Sequence, residues 1–273
     1  MQETLPDPPS GAVKAVSHDG IQDLVAVEEP LEIRVSGQAI AVTMRTPGHD
    51  EELALGFLYG EGLIEGPRRV GLTRDLAKNT IVVEGPLQRG VDARRFYTSS
   101  SCGVCGKGAL EEIAVHCQPL AIWSHAPLAR ELLASLPEQL IQPEFARTGG
   151  LHATGLFDLA GNLLCVREDV GRHNAMDKVV GWALEHGLLP LHHACLCVSG
   201  RLSFELVQKA LVAGVPILVG IGAPSSLAVE LAAANGMTLG GFARHGNLNI
   251  YAGAHRVAAN PAPKSPSMST APK

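Results

Sequence analysis

Between Leu24 and Glu84 the apolar positions come in short runs, LVAVEEPLEIRVSGQAIAVTM and later NTIVVEG. Their alternation and β-branched residues predict strands. One helix interrupts them. His49, Asp50 and Glu51 lead into ELALGFLYGEGLI, where Leu53, Leu55, Phe57, Leu58 and Ile64 suit one buried face. A small β-rich domain with one helix is expected, over residues 21–98. Residues 1–20, with Pro6, Pro8 and Pro9, and residues 260–273, NPAPKSPSMSTAPK, read as disordered tails.

From Gly108 onward, strand and helix patterns alternate. ALEEIAVHC and APLARELLASLPEQL read as helices, and GLFDLAGNLLCVRED reads as a hairpin turning at Ala160-Gly161-Asn162. NAMDKVVGWALEHG predicts a helix with Asn174 as N-cap, Asp177 at N3 serving that cap, and Gly187 as the stop. The strand HACLCVSG follows, then a helix capped by Ser203, the strand PILVGIG, the helix APSSLAVELAAANG, and finally MTLGGFARHG with LNIYAG. This order implies a mainly parallel sheet with helices on its faces, spanning residues 109–259. The fold class is thus α/β, or α+β overall once the β-rich part is counted.

Such sheets bind ligands at the carboxyl ends of their strands. Three loops there combine small residues with hydroxyl or cationic groups: VSGRLS at 198–203, GIGAPSS at 220–226 and GFARHGN at 241–247. The first two open directly into helices, whose N-termini favour anions. Together with Arg201, Arg244 and His245 they suit a phosphate-bearing ligand, although no loop matches a Walker A or dinucleotide fingerprint.

Composition narrows the setting. The chain has 273 residues, 46% apolar and 18% charged, with a net charge of −5. That balance gives no basic footprint for nucleic acid. The amino-terminal MQETLPDPPSG lacks the pattern of a signal peptide, and no run is long enough to span a membrane. A soluble cytoplasmic protein with reduced thiols is expected.

Of six cysteines, at 102, 105, 117, 165, 195 and 197, only Cys102 and Cys105 stand in C-x-x-C spacing, within SSSCGVCGK. The surrounding glycines and serines predict a flexible loop, residues 99–108, between the two domains. Zinc needs four ligands; His192, His193, Cys195 and Cys197 are the nearest donors, but both cysteines fall on one face of a buried strand. A disulfide exchanger normally places the pair at the start of a helix. A sulfur carrier needs an exposed thiolate that can meet two partners in turn, and Arg94, Arg95 and Lys107 are near enough in sequence to stabilise one. A second polar cluster, REDVGRHNAMDK at 167–178, puts Arg172 and His173 near a helix start, where they could hold an anion or, through His173, move protons. His152 is a weaker candidate of the same kind.

Taken in order, TPGHDEELALGFLYGEGLI, SSCGVCGK, GGLHATGLF, EDVGRHNAMDK, SGRLSFELVQKA, AGVPILVGIGAPSSLAVELA and GFARHGNLNIY resemble the FdhD family of formate dehydrogenase accessory sulfurtransferases, over most of residues 24–257. The resemblance implies a cytoplasmic sulfur carrier. It would take sulfur as a persulfide from a cysteine desulfurase and pass it to the molybdenum cofactor, bis-molybdopterin guanine dinucleotide, before formate dehydrogenase receives that cofactor. Cys102 would bear the persulfide and Cys105 would help relay or protect it. Phe242, Ala243, Arg244, His245, Gly246 and Asn247 would bind the cofactor, with a guanine nucleotide such as GDP as a partial mimic. A cytidine deaminase-like C-terminal domain, a homodimer and no structural metal are implied as well. Deaminases hold zinc through H-x-E and P-C-x-x-C. Here His49-Asp50-Glu51 opens a helix, and Ser101 rather than proline precedes Cys102. Two other functions use the same residues: a cofactor-binding chaperone without a reactive thiol, and a zinc hydrolase with His49, Cys102 and Cys105 as ligands.

Overall fold

The alternation in residues 29–45 becomes an antiparallel pair, β3 (Glu29–Val35) and β4 (Gln38–Arg45), turning at Ser36 and Gly37, both at positive φ. In the computed structural model, which describes residues 11–17, 19–71, 79–88 and 120–259, this pair belongs to a four-stranded sheet. Its order is β4-β3-β6-β5, with β5 at Val70–Gly71 and β6 at Thr80–Val83. Ahead of it, β1 (Ala12–Val16) and β2 (Gln22–Ala26) form a separate hairpin, so part of the expected amino-terminal tail is a strand. Ala12 and Leu24 are buried beneath it, an anchoring that a polar, proline-rich context hid from the sequence pattern.

The predicted helix α1 runs over Asp50–Gly60, with Asp50, Glu51 and Glu52 in its first turn. Leu53, Leu55 and Leu58 bury against Leu31, Ile33, Ile81 and Val83 of the small sheet. These apolar faces are what hold the sheet and its helix together.

The second half opens with α2 (Arg130–Ser135), a 3-10 turn at Leu136–Gln139 and α3 (Pro143–Thr148). The alternating region then follows: β7 (His152–Asp158), β8 (Leu163–Asp169), α4 (Arg172–Glu185), β9 (Ala194–Val198), α5 (Phe204–Val212), β10 (Ile217–Gly220), α6 (Ser226–Ala234), β11 (Thr238–Arg244) and β12 (Asn247–Ala252). These strands form a six-stranded sheet in the order β12-β11-β10-β9-β7-β8. Only β9-β10-β11 pair in parallel; β7 is antiparallel to both neighbours and β12 is antiparallel to β11. The expected mainly parallel sheet is therefore a mixed one. For two of the three antiparallel pairs the reason is local: short turns at 159–162 and 245–246 can only return a strand antiparallel.

Helices α4, α5 and α6 share a buried cluster with one sheet face, through Val179, Leu206, Leu231, Leu196 and Leu218. On the other face, Leu133 and Leu136 pack with Phe157, Cys195, Cys197 and Val219. The result is an α/β/α arrangement with a β-rich amino-terminal part, an α+β fold.

The two halves meet where α1 crosses α4, and glycines make the approach possible. A Cβ on Gly56 would lie 1.8 Å from the Asp177 carbonyl oxygen, and one on Gly181 would lie 1.9 Å from that of Glu52. The two backbones touch. Charged groups fix the orientation, since Arg167 donates to both carboxylate oxygens of Glu52 at 2.5 and 2.6 Å. Asp169 and Lys178 pair at 2.7 Å in full burial, while Lys178 also donates to the carbonyl of Thr46.

That lock corrects two helix-start expectations. Helix α4 begins at Arg172 after Gly171, and Asn174 is not its cap; its amide donates to Met44 O and Asp169 Oδ1. Asp177 does not serve the cap either, and instead pairs with Lys209 of α5 at 2.8 Å. Both residues have side chains suited to capping, but partners more than thirty residues away or buried nearby claim them first.

Candidate functional site at the strand-end rim

Because β7 runs against its neighbours, its first residue lies at the same edge as the last residues of β8, β9, β10 and β11. That edge gathers His152, the 170–173 junction, the 199–203 loop, the 221–225 loop and the β11–β12 turn. The loops are stitched together. Ala153 N donates to Ser199 Oγ, Gly222 N to Gly200 O, Leu202 N to Ala223 O, Ser225 N to Leu202 O, and Phe242 N to Gly222 O.

These bonds revise the expectation for GIGAPSS. Its Gly222 and Ser225 N–H groups are already used, and a Cβ on Gly222 would come within 2.9 Å of Arg201 Cα. Gly222 thus allows one loop to lie on another rather than a ligand to lie on the loop. Ser225 also caps α6 by accepting from Ala228 N.

Helices α4 and α5 differ. Gly171 has no side chain to cap α4, and Ser203, at the N-cap position of α5, makes no capping bond. The hydroxyl of Ser203 turns to His173 Nε2, 3.3 Å away. First-turn N–H groups of both helices therefore lack a side-chain acceptor, at the positive ends of their dipoles. Arg172 adds a buried Nε with no hydrogen-bond partner among the described residues. Arg172 and His173, read as candidates for holding an anion, stand in the first turn of α4.

The rim is cationic. Arg201, Arg244 and His245 are exposed and have no ion-pair partner among the described residues. His152 is half-buried behind Gly200, and its pKa is lowered first by burial and then by the positive charges of Arg172, His173 and Arg201. Asp169 is neutralised by Lys178, which leaves Glu205 as the acid facing His173, 2.7 Å from its Nε2.

The 241–247 stretch is not the loop expected from its glycines. Gly241 to Arg244 continue β11 through a bulge, and only His245 and Gly246 form the turn. Phe242 and His245 adopt φ of 54° and 51°, a left-handed conformation that costs a non-glycine residue energy and concentrates at functional sites. The bulge turns Phe242 outward, near the also exposed Tyr251, whose ring would touch a Cβ on Gly241. Arg244, His245, Gly246 and Asn247 are exposed as well, but Ala243 is fully buried in the lower core and can meet a ligand only through its backbone.

Other candidates fall elsewhere. Cys102, Cys105, Arg94, Arg95 and Lys107 lie outside the described residues. Cys195 and Cys197 are buried on β9 as expected, and burial raises their pKa values, Cys195 to about 12. His49 is the N-cap residue of α1, 3.4 Å from Glu52, and Asp50 is held by Arg45, while Glu51 of the H-x-E triplet is exposed. Among the described residues no three His, Cys, Asp or Glu side chains converge to hold a metal. The sequence reading missed Glu205, whose signal was its place in the first turn after SGRLS.

The family model described as the FdhD/NarQ family matches residues 26–258. A "Sulfur carrier protein FdhD" from Nocardia farcinica is 51% identical over 248 residues, covering 86% of this chain and 88% of its own. A protein of the same name from Sulfolobus acidocaldarius is 45% identical, covering 86% and 92%. The crystal structure of a candidate formate dehydrogenase accessory protein from Desulfotalea psychrophila superposes with a TM-score of 0.69 at 26% identity, over 90% of this chain and 97% of that one. The strand-end rim and its α/β/α support are thus the fold of a known group, and the chain belongs to the FdhD/NarQ family.

Proposed function

We propose that this protein is a sulfur carrier that loads the molybdenum cofactor destined for formate dehydrogenase. The observation that carries the reading is the cationic rim, where two helices without side-chain caps, Arg172, Arg201 and Arg244 meet exposed Phe242. Strands in a sheet lie about 4.8 Å apart, so the five strand ends from β8 to β11 span roughly 19 Å, a length suited to a dinucleotide. Phosphates would take the helix N-termini and arginines, and a guanine base would stack on Phe242. Bis-molybdopterin guanine dinucleotide is the acceptor substrate in this reading, and GDP mimics part of it.

Sulfur arrives as a persulfide. The Cys102 thiolate attacks the terminal sulfur of a desulfurase persulfide, the donor thiolate leaves, and Cys102 carries the extra sulfur. Cys105 assists its onward transfer. The names of the family relatives support a carrier role. The donor is a cysteine desulfurase, the recipient enzyme is formate dehydrogenase, and the carrier works in the cytoplasm as a homodimer.

Intact mass after incubation with a cysteine desulfurase and cysteine tests the reading. Wild type gains one reductant-labile sulfur atom and Cys102→Ala does not, while Arg244→Ala keeps its loading and binds GDP about tenfold more weakly, the worth of one charge-assisted contact. Maturation of formate dehydrogenase by a Cys102/Cys105 double alanine variant would instead support a cofactor chaperone.

A further inference from the structure

An acid at the open N-terminus of α5 sits where an anion would be expected. Glu205, in the first turn of that helix, brings a carboxylate oxygen to 2.7 Å from His173 Nε2. The same nitrogen lies 3.3 Å from Ser203 Oγ, which draws the hydroxyl away from its capping position. His173, which could otherwise hold a phosphate at this point, is thereby engaged with the protein's own carboxylate. Around it stand Arg172 on α4 and Lys209 one turn further along α5, and Lys209 is itself committed to Asp177. His173 first, then its charge and those of Arg172 and Lys209, hold Glu205 below the ordinary carboxylate range against the effect of burial, so at neutral pH it is an anion.

We infer that the Glu205 carboxylate is an internal stand-in for a ligand phosphate, and that a diphosphate-bearing ligand must displace it from His173 to bind. The inference rests on reading the rim as a phosphate site, and it adds a gate. The site carries its own counter-ion at His173, which makes entry an exchange of one anion for another. The Glu205 side chain is 42% exposed, so it can swing into solvent without disturbing the core. No covalent bond forms or breaks; a phosphate oxygen replaces the carboxylate oxygen at His173 and takes the open N–H groups of α5.

The test is calorimetric titration of the full chain with GDP and with inorganic pyrophosphate at low salt. Wild type is compared with Glu205→Gln and with the surface control Glu230→Gln. Removing the competing charge leaves an isosteric amide, so both ligands bind Glu205→Gln about five to ten times more tightly, and the control binds like wild type. Equal or weaker binding by Glu205→Gln overturns the stand-in role while leaving the phosphate reading intact. If neither protein binds either ligand, the phosphate reading and the stand-in fall together, and the persulfide assay on Cys102 is unaffected. Binding by Glu205→Gln alone supports the gate in its strongest form.

Discussion

Individual side chains divide sharply into those that face water at the rim and those the core has silenced. Burial lifts the Cys165 thiol to about 11 and the Cys195 thiol to about 12, and Cys197 stands higher still. Since the thiolate is the nucleophile, none of the three reacts from the folded state. Iodoacetamide applied to native protein at mildly alkaline pH therefore leaves them unmodified, and urea exposes them. Peptide mass mapping reads this directly, and alkylation of Cys195 without denaturant would contradict it. A persulfide gained by the native chain can then be assigned away from these positions. At this scale the sequence was a good guide where identity and neighbours agree: Cys195 and Cys197 lie in ACLCV, which has no polar residue to expose. It misled at Asn174 and Asp177, whose partners Met44 and Lys209 are brought to them only by the fold.

Helices and strands show which local signals survive packing. Ser225 caps α6 as its sequence suggests, whereas Ser203, in the same position on α5, gives its hydroxyl to His173. The hairpin β7–β8 turns where Asp158 accepts from the N–H groups of Ala160 and Asn162, so the expected turn holds. The bulge in β11 was illegible because its glycines suggest a loop, and only pairing with β12 reveals a strand. Charge pairs between elements carry a pH signature. Burial pushes the Glu52 carboxyl up, but the two bonds from Arg167, together with His49, outweigh it and hold Glu52 below its ordinary value of 4.5. A group with a lowered folded pKa stabilises fully above its unfolded value and loses that contribution as pH falls through the folded one. Arg167→Gln is thus less stable than wild type at neutral pH, and the gap narrows as the pH falls below 4.5 and on through the lowered folded value. Urea midpoints at several pH values check this; a gap that stays constant in acid would show that the pair's charge is not responsible.

As a whole molecule the chain is one body rather than two loosely joined domains. The composition change near residue 108 suggests a boundary, and a β-rich part does precede an α/β part. What the sequence could not show is the seam, because α1 lies in one part and its closest partner, α4, in the other. Glycine at 56 and 181 looks like a weakness in a helix until both are seen to remove side chains from a backbone contact. Gly181→Ala forces the helices apart and costs about 3 kcal/mol, the upper end for overpacking. Calorimetry of wild type shows one transition and that of the variant a single transition at lower temperature. Two separate transitions in wild type would refute a common cooperative unit.

The touching backbones of α1 and α4 also have a mechanical meaning. Helices separated by long side chains can slide or rock as those side chains change rotamer, but two main chains in contact have no such bearing surface. The parts of this protein cannot open like jaws around a cargo. In the proposed role, a large cofactor would approach the rim as an object is set on a shelf, from outside and without the shelf bending, and would leave by the same side.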